Sequence, residues 1–551
     1  MKVIRRAVQA CLVAGLTVTA AFAQNLGDAK KAIDAEQYQQ AKTILKKLIA
    51  AQPAAGENYF YLGNVYLKTD YPDSAKASYT KGVSASAEYP LNYVGLGAIA
   101  LKGNNAASAK SSFDKAISLA KKKDSSPYLY IGKAYTDAKD YTNAVANLEK
   151  AKSINEKDAE VFLALGDAYT GDKKNSEAYG AYRTAFDMDK NLLRAKIELG
   201  KSVRKSKAFP ESISEFNSIL AINPNYAPAY RELAETYYQW AVDNKYEDAK
   251  MKQALQNYGK YMDLTDRSLD SRMRYADFLY LAKEYSALEQ EAQKMASQAQ
   301  SNPRIYRYLG YSAFENGHFA ESVKALQDFI SKVEPERVIA LDYFNLGKAQ
   351  LQLSDTAGVT SLAKAVKMDS SYAEPLSDIA KTQFTAKKYA LAARLYELAV
   401  SNPASKTIVY DNFYLGMAHY FDYAGKDAAT QKASHNILVK ADSAFSYVAQ
   451  KSPSTPDSYL YRARVNRLLD DDQNSKGLMV PFYERFIEVV SEKPENLSDA
   501  RFKKNLAEAY NNLGAFYIRS NQAKARDYFN KTIALDPTNT YAPEALKSLG
   551  N

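Results

Sequence analysis

The sequence predicts an all-α protein built from repeated helical hairpins. A small residue that follows an aliphatic residue returns along the chain at a nearly constant interval. Its first six positions are Gly63, Gly97, Gly132, Gly166, Gly200 and Ala234, at intervals of 34, 35, 34, 34 and 34 residues. A period of this length is typical of repeat architectures. The composition agrees, because 23 Gly and 17 Pro among 551 residues are too few for a β-structure that turns every few residues.

Each repeat contains two helical patterns. Around the small residue, bulky residues spaced three and four apart, such as Tyr59, Leu62 and Tyr66, form one apolar stripe on a first helix. A second stripe starts at an Ala twelve residues after the small residue, as in Ala75 and Tyr79. The small side chains allow the two helices to approach closely. A short link rich in Asp, Asn or Lys joins them, and a Pro often ends the second helix.

This pattern resembles the tetratricopeptide repeat over nearly the whole chain, from Asn25 to Pro537. The resemblance implies an α-solenoid of about fourteen antiparallel helix pairs that forms a right-handed superhelix. It also implies a concave surface lined by the first helix of each pair. Residues 541–549 would then form a C-terminal capping helix that covers the last apolar face.

Departures from the regular period divide the chain into predicted segments. They are a signal peptide at 1–23, an N-terminal array at 24–268, a middle array at 269–408, and irregular C-terminal units with the capping helix at 409–551. The last segment holds two insertions, 423–440 and 468–480. These are either longer loops and helix ends or contacts specific to a partner, since insertions in repeat arrays usually collect on one face.

The first residues predict an export signal. A basic start precedes an apolar run at 7–22, which overlaps an A-x-A cleavage motif. We therefore expect cleavage between Ala23 and Gln24, and a periplasmic or secreted protein with no membrane span after cleavage. The alternative is an uncleaved membrane anchor. Because the single Cys11 lies inside this leader, the mature chain would contain no cysteine.

The sequence lacks the motifs of common enzyme chemistry. It has three histidines, no two of them at metal-ligand spacing, and neither an H-E-x-x-H nor a G-x-S-x-G motif. We predict no catalytic residue, no metal site and no cofactor, and we interpret His419 as a packing residue. The run from Asp470 to Asp472 fits a solvated acidic turn better than a calcium loop, because no Gly or Glu follows at the required spacing. An enzyme whose chemistry lies in 408–506 is a further alternative.

A second row of residues on each first helix lies opposite the packing stripe. By the resemblance, this row would line the concave groove, and it combines aromatic with basic residues, as protein-recognition hot spots do. The predicted partner-binding residues are Phe60, Asn64, Arg231, Glu235, Tyr238, Arg307, Tyr311, Phe344, Lys348, Phe413, Met417 and Tyr420. The alternative is that these side chains pack against the next repeat. The carboxylate-clamp activity of some family members is not transferred, because Phe60 replaces the Lys that it needs.

The predicted function is a non-enzymatic periplasmic scaffold that binds a protein or peptide partner of the cell envelope in this groove. The alternative is an exported carbohydrate-binding protein, since some exported glycan-capture proteins carry helical repeats of this kind. Such proteins usually present Trp platforms, and this chain has the single Trp240. The net charge of +10 does not indicate nucleic-acid binding, because no basic stripe alternates with stacking aromatic residues.

Overall fold

A computed structural model describes residues 25–471 and 474–550 of the chain. These residues form thirty α-helices and four short 3₁₀ segments, and they contain no β-strand. The predicted all-α fold is therefore confirmed. The predicted signal segment, 1–23, lies outside the described residues, as does Asp472 of the acidic turn.

The chain divides into two compact units, whose described residues begin at 25 and at 298. Unit 1, which ends at Ser297, contains eight helical hairpins, each made of an odd-numbered helix and the helix that follows it. These helices are α1 (Leu26–Asp34), α2 (Tyr38–Ala51), α3 (Gly56–Lys68), α4 (Pro72–Ala85), α5 (Pro90–Lys102), α6 (Ala106–Leu119), α7 (Ser126–Asp137), α8 (Tyr141–Ile154), α9 (Ala159–Gly171), α10 (Asn175–Met188), α11 (Leu193–Lys205), α12 (Phe209–Ile222), α13 (Ala227–Asp243), α14 (Asp248–Leu264), α15 (Leu269–Leu281) and α16 (Tyr285–Met295).

Unit 2 contains six further hairpins and a terminal helix. Its helices are α17 (Arg304–Glu315), α18 (Phe319–Lys332), α19 (Ala340–Gln352), α20 (Ala357–Met368), α21 (Leu376–Thr385), α22 (Tyr389–Ala399), α23 (Ile408–Ala424), α24 (Ala428–Ala433), α25 (His435–Lys451), α26 (Pro456–Leu469), α27 (Val480–Ser491), α28 (Ala500–Tyr517), α29 (Gln522–Leu535) and α30 (Tyr541–Ser548). Here α23 pairs with α25 across the short α24. The described residues thus hold fourteen hairpins, the number that the repeat predicted. The predicted segment boundaries near 268 and 408 concern the regularity of the repeats and stay predictions.

The small residue of the first helix marks where the second helix packs on it. A Cβ added at Gly132 would lie 2.5 Å from Cγ of Leu148, and one added at Gly310 would lie 2.6 Å from Cγ of Leu326. Both leucine side chains are fully buried. A larger residue would therefore push the two helices apart, which confirms the reason given for the small residue in each repeat.

Most hairpins reverse direction through a turn with one residue in the left-handed region. These residues have φ between +56° and +83° and lie two positions before the second helix; they are Glu36, Asp70, Asn104, Lys139, Lys173, Lys207, Lys283, Gly317 and Lys387. In two of these turns the side chain of the next residue caps the second helix. The side chains of Asn105 and Asp140 accept hydrogen bonds from the backbone N–H groups of Ser108 and Asn143. These caps satisfy donors that a helix cannot pair internally.

The irregular repeats are lengthened mainly by extra helix. The hairpin of α13 and α14 has 17 residues in each helix, whereas the regular hairpin of α3 and α4 has 13 and 14. The 423–440 insertion comprises the end of α23, the six-residue α24 and the start of α25. In the 468–480 insertion the carboxylate of Asp470 accepts hydrogen bonds from the backbone N–H groups of Lys476 and Gly477, both at 2.8 Å. Contacts between these insertions and a partner stay a prediction.

The last hairpin is covered by α30. Ala542 and Ala545 of this helix pack against Ala525 and Phe529 of α29. An array of hairpins that bury their apolar faces only on their neighbours exposes one such face at each end, and a terminal helix removes that exposure. The predicted C-terminal capping helix is confirmed.

Candidate functional site

The predicted partner-binding residues all lie on the first helices of their hairpins. In unit 1 they are Phe60 and Asn64 of α3 and Arg231, Glu235 and Tyr238 of α13; in unit 2 they are Arg307 and Tyr311 of α17, Phe344 and Lys348 of α19, and Phe413, Met417 and Tyr420 of α23. Their exposure and their partners differ sharply from one helix to the next. Those differences decide which of them a partner could reach.

The two residues of α3 contribute to packing inside unit 1. Phe60 is 1% exposed, and its ring meets the Tyr130 ring edge to face at a centroid distance of 4.9 Å. Asn64 accepts a hydrogen bond from the hydroxyl of Tyr79 at 2.7 Å. Phe60 therefore packs against another repeat, which is the alternative that the sequence had left open, whereas Asn64 is bonded within its own hairpin.

Arg231 of α13 forms ion pairs with two glutamates. Its Nη1 lies 2.5 and 2.6 Å from the two carboxylate oxygens of Glu36, a residue 195 positions earlier, and its Nε lies 3.1 Å from Oε1 of Glu232. Burial by itself would lower the pKa of Arg231, but the two carboxylates raise it above its ordinary value. The guanidinium is thus held by the turn of the first hairpin.

Glu235 and Tyr238, on the same helix, are both engaged by Arg274 of α15. The guanidinium of Arg274 binds the carboxylate of Glu235 through Nε at 2.8 Å and Nη2 at 2.6 Å. Its Cζ also lies 4.8 Å from the centroid of the Tyr238 ring. A fork of this kind is a strong, directional pair, so these two residues hold neighbouring hairpins together.

The sequence-based row missed a charged cluster on the first helices of unit 1. Lys133 Nζ lies 2.8 Å and Arg194 Nη2 lies 3.1 Å from Oε2 of Glu160. Burial raises the pKa of Glu160, but the two cations outweigh it and hold the pKa at about 2. The repeat period could have predicted this contact. Glu160 and Arg194 are 34 residues apart and therefore occupy the same position in adjacent repeats.

In unit 2 the residues of α17 are paired with a buried carboxylate. Arg307 donates to Asp342 of α19 through Nε and Nη2, both at 2.8 Å, and the hydroxyl of Tyr311 donates to Oδ1 at 2.7 Å. Tyr311 is 5% exposed and Asp342 is fully buried. Phe344 of α19 is also buried, at 8% exposure, and its ring lies 4.9 Å from the Tyr372 ring. These three predicted residues are packing residues in this structure.

The remaining predicted residues of unit 2 keep part of their surface exposed. Phe413, Met417 and Tyr420 lie three and four positions apart on α23 and form one stripe. The Tyr420 ring packs edge to face on Tyr461 at 5.8 Å. Lys348 of α19 forms no ion pair within the described residues; its Nζ lies 4.1 Å from the centroid of the Phe314 ring, and burial lowers its pKa.

Two residues that the prediction omitted extend this stripe. Tyr410, three positions before Phe413, is 37% exposed, and Nζ of Lys381 on α21 lies 5.4 Å from its ring centroid. A cleft of about 470 Å³ runs along α21 beside them, lined by Lys381, Thr382, Thr385 and Ala386. Lys381 directly follows the small residue of its repeat, as Lys348 does. This shared repeat position could have identified Lys381 from the sequence. We call Lys381, Tyr410, Phe413, Met417 and Tyr420 the α21–α23 face.

His419 and Trp240, which were considered for a functional role from the sequence, both pack against other side chains. His419 is 6% exposed, which confirms it as a packing residue, and its Nε2 lies 3.5 Å from Oε1 of Glu397. Within residues 25–471 and 474–550, no group of three or more His, Cys, Asp or Glu side chains is arranged to hold a metal ion. Trp240 stacks on Phe209 at a centroid distance of 6.0 Å, and Nζ of Lys250 lies 4.0 Å from its ring.

Comparisons with known proteins agree with this architecture. The tetratricopeptide repeat family model matches residues 56–89 and 126–158, which contain the hairpins α3–α4 and α7–α8. The chain therefore contains tetratricopeptide repeats. No curated protein matches it significantly. In the part of the chain that the structure describes, no helix is both long and apolar enough to cross a bilayer.

Several solved structures are similar to parts of the chain. The C-terminal part of a tetratricopeptide repeat protein from Cytophaga hutchinsonii is 27% identical, over 50% of this chain and 98% of that chain, with a TM-score of 0.30. A tetratricopeptide repeat protein from Parabacteroides merdae is 17% identical, over 44% and 93%, with a TM-score of 0.30. YrrB, a repeat protein described as having an unusual peptide-binding site, is 18% identical, over 34% and 95%, with a TM-score of 0.22.

Proposed function

We propose that the chain is a non-enzymatic scaffold of the cell envelope that binds an extended segment of a protein partner on the α21–α23 face. Tetratricopeptide repeats support a protein-interaction scaffold in general, because solenoids of this kind present long open surfaces. The envelope location is supported by the leader at 1–23 with its expected cleavage site before Gln24. The choice of face comes from the contacts of the predicted residues.

The observation that supports this face is the contrast between the predicted residues. Elsewhere most of them are buried, as Phe60 and Phe344 are, or held in ion pairs, as Arg231 is. On the α21–α23 face, aromatic rings and a thioether remain partly exposed. A partly buried aromatic surface has already lost much of its conformational freedom, so covering it costs little further entropy.

The side chains of this face define the chemistry of the segment that fits. Tyr410, Met417 and Tyr420 would contact an apolar side chain, since aromatic and Met residues adapt to such partners. Lys381 lies over the Tyr410 ring and forms no ion pair within the described residues. It can therefore take a carboxylate of the partner without first breaking a salt bridge. We propose a segment with an apolar residue next to an acidic one.

The test is cross-linking in the cell envelope followed by mass spectrometry. The variant Lys381→Glu/Tyr420→Ala should lose the partner that wild type captures, because it reverses the charge and removes a ring of the face. The matched control is Lys364→Glu, since Nζ of Lys364 lies 5.2 Å from the Tyr343 ring, nearly the geometry of Lys381, but on the second helix α20. The control should keep the wild-type partner. Equal partner profiles for all three chains would count against this face.

The location has its own test. The full gene product should be released from cells by osmotic shock, and its first residue should be Gln24 by N-terminal sequencing. A chain that stays with the membrane and retains residues 1–23 would instead support the uncleaved anchor.

A further inference from the structure

The turn of the first hairpin is bound by distant residues of unit 1. Glu36 lies between α1 and α2, and its carboxylate accepts hydrogen bonds from Arg231 Nη1 at 2.5 and 2.6 Å. The hydroxyl of Tyr261 on α14 donates to Oε2 of the same carboxylate at 2.9 Å. One acidic side chain is thus held by a cation and a phenol from the seventh hairpin.

The residues beside Glu36 enlarge this contact. Ala35 is buried in a cluster that includes Leu193, Ile197 and Tyr226. Asp34, on the other side of Ala35, has its Oδ1 3.7 Å from Nε of Arg194. The sequence Asp34-Ala35-Glu36 therefore places its small central residue against apolar side chains and its two carboxylates beside Arg194 and Arg231.

Gln37, which precedes the second helix, and Gln39 within it add two polar contacts at the edge of this surface. The side-chain Nε2 of Gln37 donates to the carbonyl oxygen of Leu264 at 3.2 Å, and the backbone N–H of Gln39 donates to Oδ2 of Asp266 at 2.8 Å. The contacts are therefore few and mostly polar or charged. Surface ion pairs and hydrogen bonds contribute much less to stability than a packed apolar interface does.

Two buried polar groups in the surface that contacts this turn, on Tyr226 and Arg194, make no hydrogen bond to it. Tyr226 is 4% exposed, and its buried hydroxyl makes no hydrogen bond within the described residues. Nε of Arg194 is likewise buried without a hydrogen bond, since Asp34 lies beyond hydrogen-bond distance. Buried polar groups are normally satisfied, because leaving them unpaired costs free energy. An occupant with a carboxylate placed closer to these two donors would bind more completely than the turn does.

We propose that Arg194, Tyr226, Arg231 and Tyr261 form a docking surface for an acidic turn between two helices of a partner protein, and that the first hairpin covers it in the free chain. We call these four residues the acceptor face. The chain's own Asp34-Ala35-Glu36 shows the chemistry that the face accepts: two carboxylates on either side of a small residue. A partner with such a turn competes with the hairpin. This surface is separate from the α21–α23 face, so either proposal can fail without the other.

The test uses the full chain and a peptide probe with the sequence of residues 29–43. In wild type the face is covered, so the labelled peptide should bind weakly in a fluorescence anisotropy titration. In Asp34→Ala/Glu36→Ala the hairpin loses its carboxylates, and the peptide should bind about tenfold more tightly or better. The same peptide with alanine at both acidic positions should not bind. Adding Arg231→Ala to the open variant should abolish the gain.

A matched control breaks a different contact of the same hairpin. Glu57→Ala removes the pair between Lys30 and Glu57, whose atoms lie 3.1 Å apart, and should leave peptide binding at the wild-type level. Amide hydrogen exchange over residues 31–40 reports whether the hairpin has detached. Tyr261→Phe, which removes one hydroxyl of the acceptor face, should raise exchange slightly and should not raise peptide binding.

Two results would overturn the proposal. One is unchanged exchange over residues 31–40 in Asp34→Ala/Glu36→Ala, because the carboxylates would then not hold the hairpin. The other is faster exchange in that variant without any gain in peptide binding, because the uncovered face would then not accept an acidic turn.

Discussion

The ring of Phe216 packs directly on the backbone of Gly200: a Cβ added at Gly200 would lie 2.5 Å from Cε1 of that ring. Phe216 is fully buried, and its contacts are with the neighbouring hairpins of unit 1. The small residue is therefore what allows a large aromatic side chain to fill the space between the two helices. The same relationship recurs along the chain, and it explains why the repeat is visible in the sequence.

We expect Gly200→Ala to destabilise unit 1 by about 1–3 kcal/mol, because overpacking forces the ring or the helix to move. The measurement is the shift of the denaturant midpoint followed by circular dichroism. Gly180→Ala is the matched control, because Gly180 lies on an exposed helical position with nothing within 4 Å of an added Cβ. That change should stabilise the chain by roughly 0.5–1 kcal/mol through helix propensity. Equal effects at the two positions would contradict the packing account.

A second prediction concerns the buried carboxylate of unit 2. Arg307→Met should cost about 3 kcal/mol, because it leaves Asp342 charged and fully buried without its cation. Arg501→Met is the control, since the pair of Arg501 with Asp457, at 3.1 Å, involves a mostly exposed arginine and should change stability by less than about 1 kcal/mol. Denaturant unfolding of both variants measures the difference. An equal loss of unfolding free energy in Arg501→Met would contradict the prediction that the buried pair contributes more to stability than the exposed one.

A third prediction follows from Asp167 on α9. Burial raises the pKa of its carboxyl to about 6, despite a hydrogen bond from the hydroxyl of Tyr182 at 3.0 Å. Between the ordinary value near 3.8 and pH 6 the folded chain binds more protons than the unfolded chain, so the contribution of Asp167 to stability falls as pH rises through this window. Above pH 6 the charged group is a net cost.

We therefore expect Asp167→Asn to be more stable than wild type by about 1–2 kcal/mol at pH 7.5, with the difference disappearing below pH 4. Thermal unfolding across this pH range measures it. Asp187→Asn is the control of opposite sign, because a hydrogen bond from Lys190 lowers the pKa of Asp187, so its removal should not stabilise the chain at pH 7.5. A destabilised Asp167→Asn at pH 7.5 would mean that Arg194 outweighs burial.

A fourth prediction tests the hairpin turns. Lys139 has φ of +62°, is exposed and lies in the turn between α7 and α8. Lys139→Gly should stabilise the chain by about 0.5–1 kcal/mol, because glycine adopts this conformation without the Cβ clash. Lys150→Gly, in the exposed interior of α8, should instead cost about 1 kcal/mol. Melting temperatures of the two variants should therefore move in opposite directions.

The repeat pattern was sufficient to predict the architecture within each hairpin. Helix content, the hairpin count, the close approach at positions such as Gly132, and the capping helix at Tyr541–Ser548 all followed from it. The physical reason is that these features depend on contacts between residues less than about 40 positions apart, and the sequence period reports such contacts directly. The repeat pattern also placed each predicted partner-binding residue on the first helix of its hairpin. It did not show how much of each side chain is exposed to solvent.

Exposure and pairing were decided by the tertiary structure. Arg231 and Glu36 are 195 residues apart, and their contact depends on the rotation accumulated over several hairpins. The sequence period relates adjacent hairpins, so it does not show which distant hairpins meet. Tyr311 and Phe344 resemble exposed groove residues by position, but contacts with Asp342 and Tyr372 of the following helices bury them, and the repeat pattern does not show which side chains fill that space. The sequence by itself determined which helices form and which residues lie on them; the packing of successive hairpins determined which of those residues remain available to a partner.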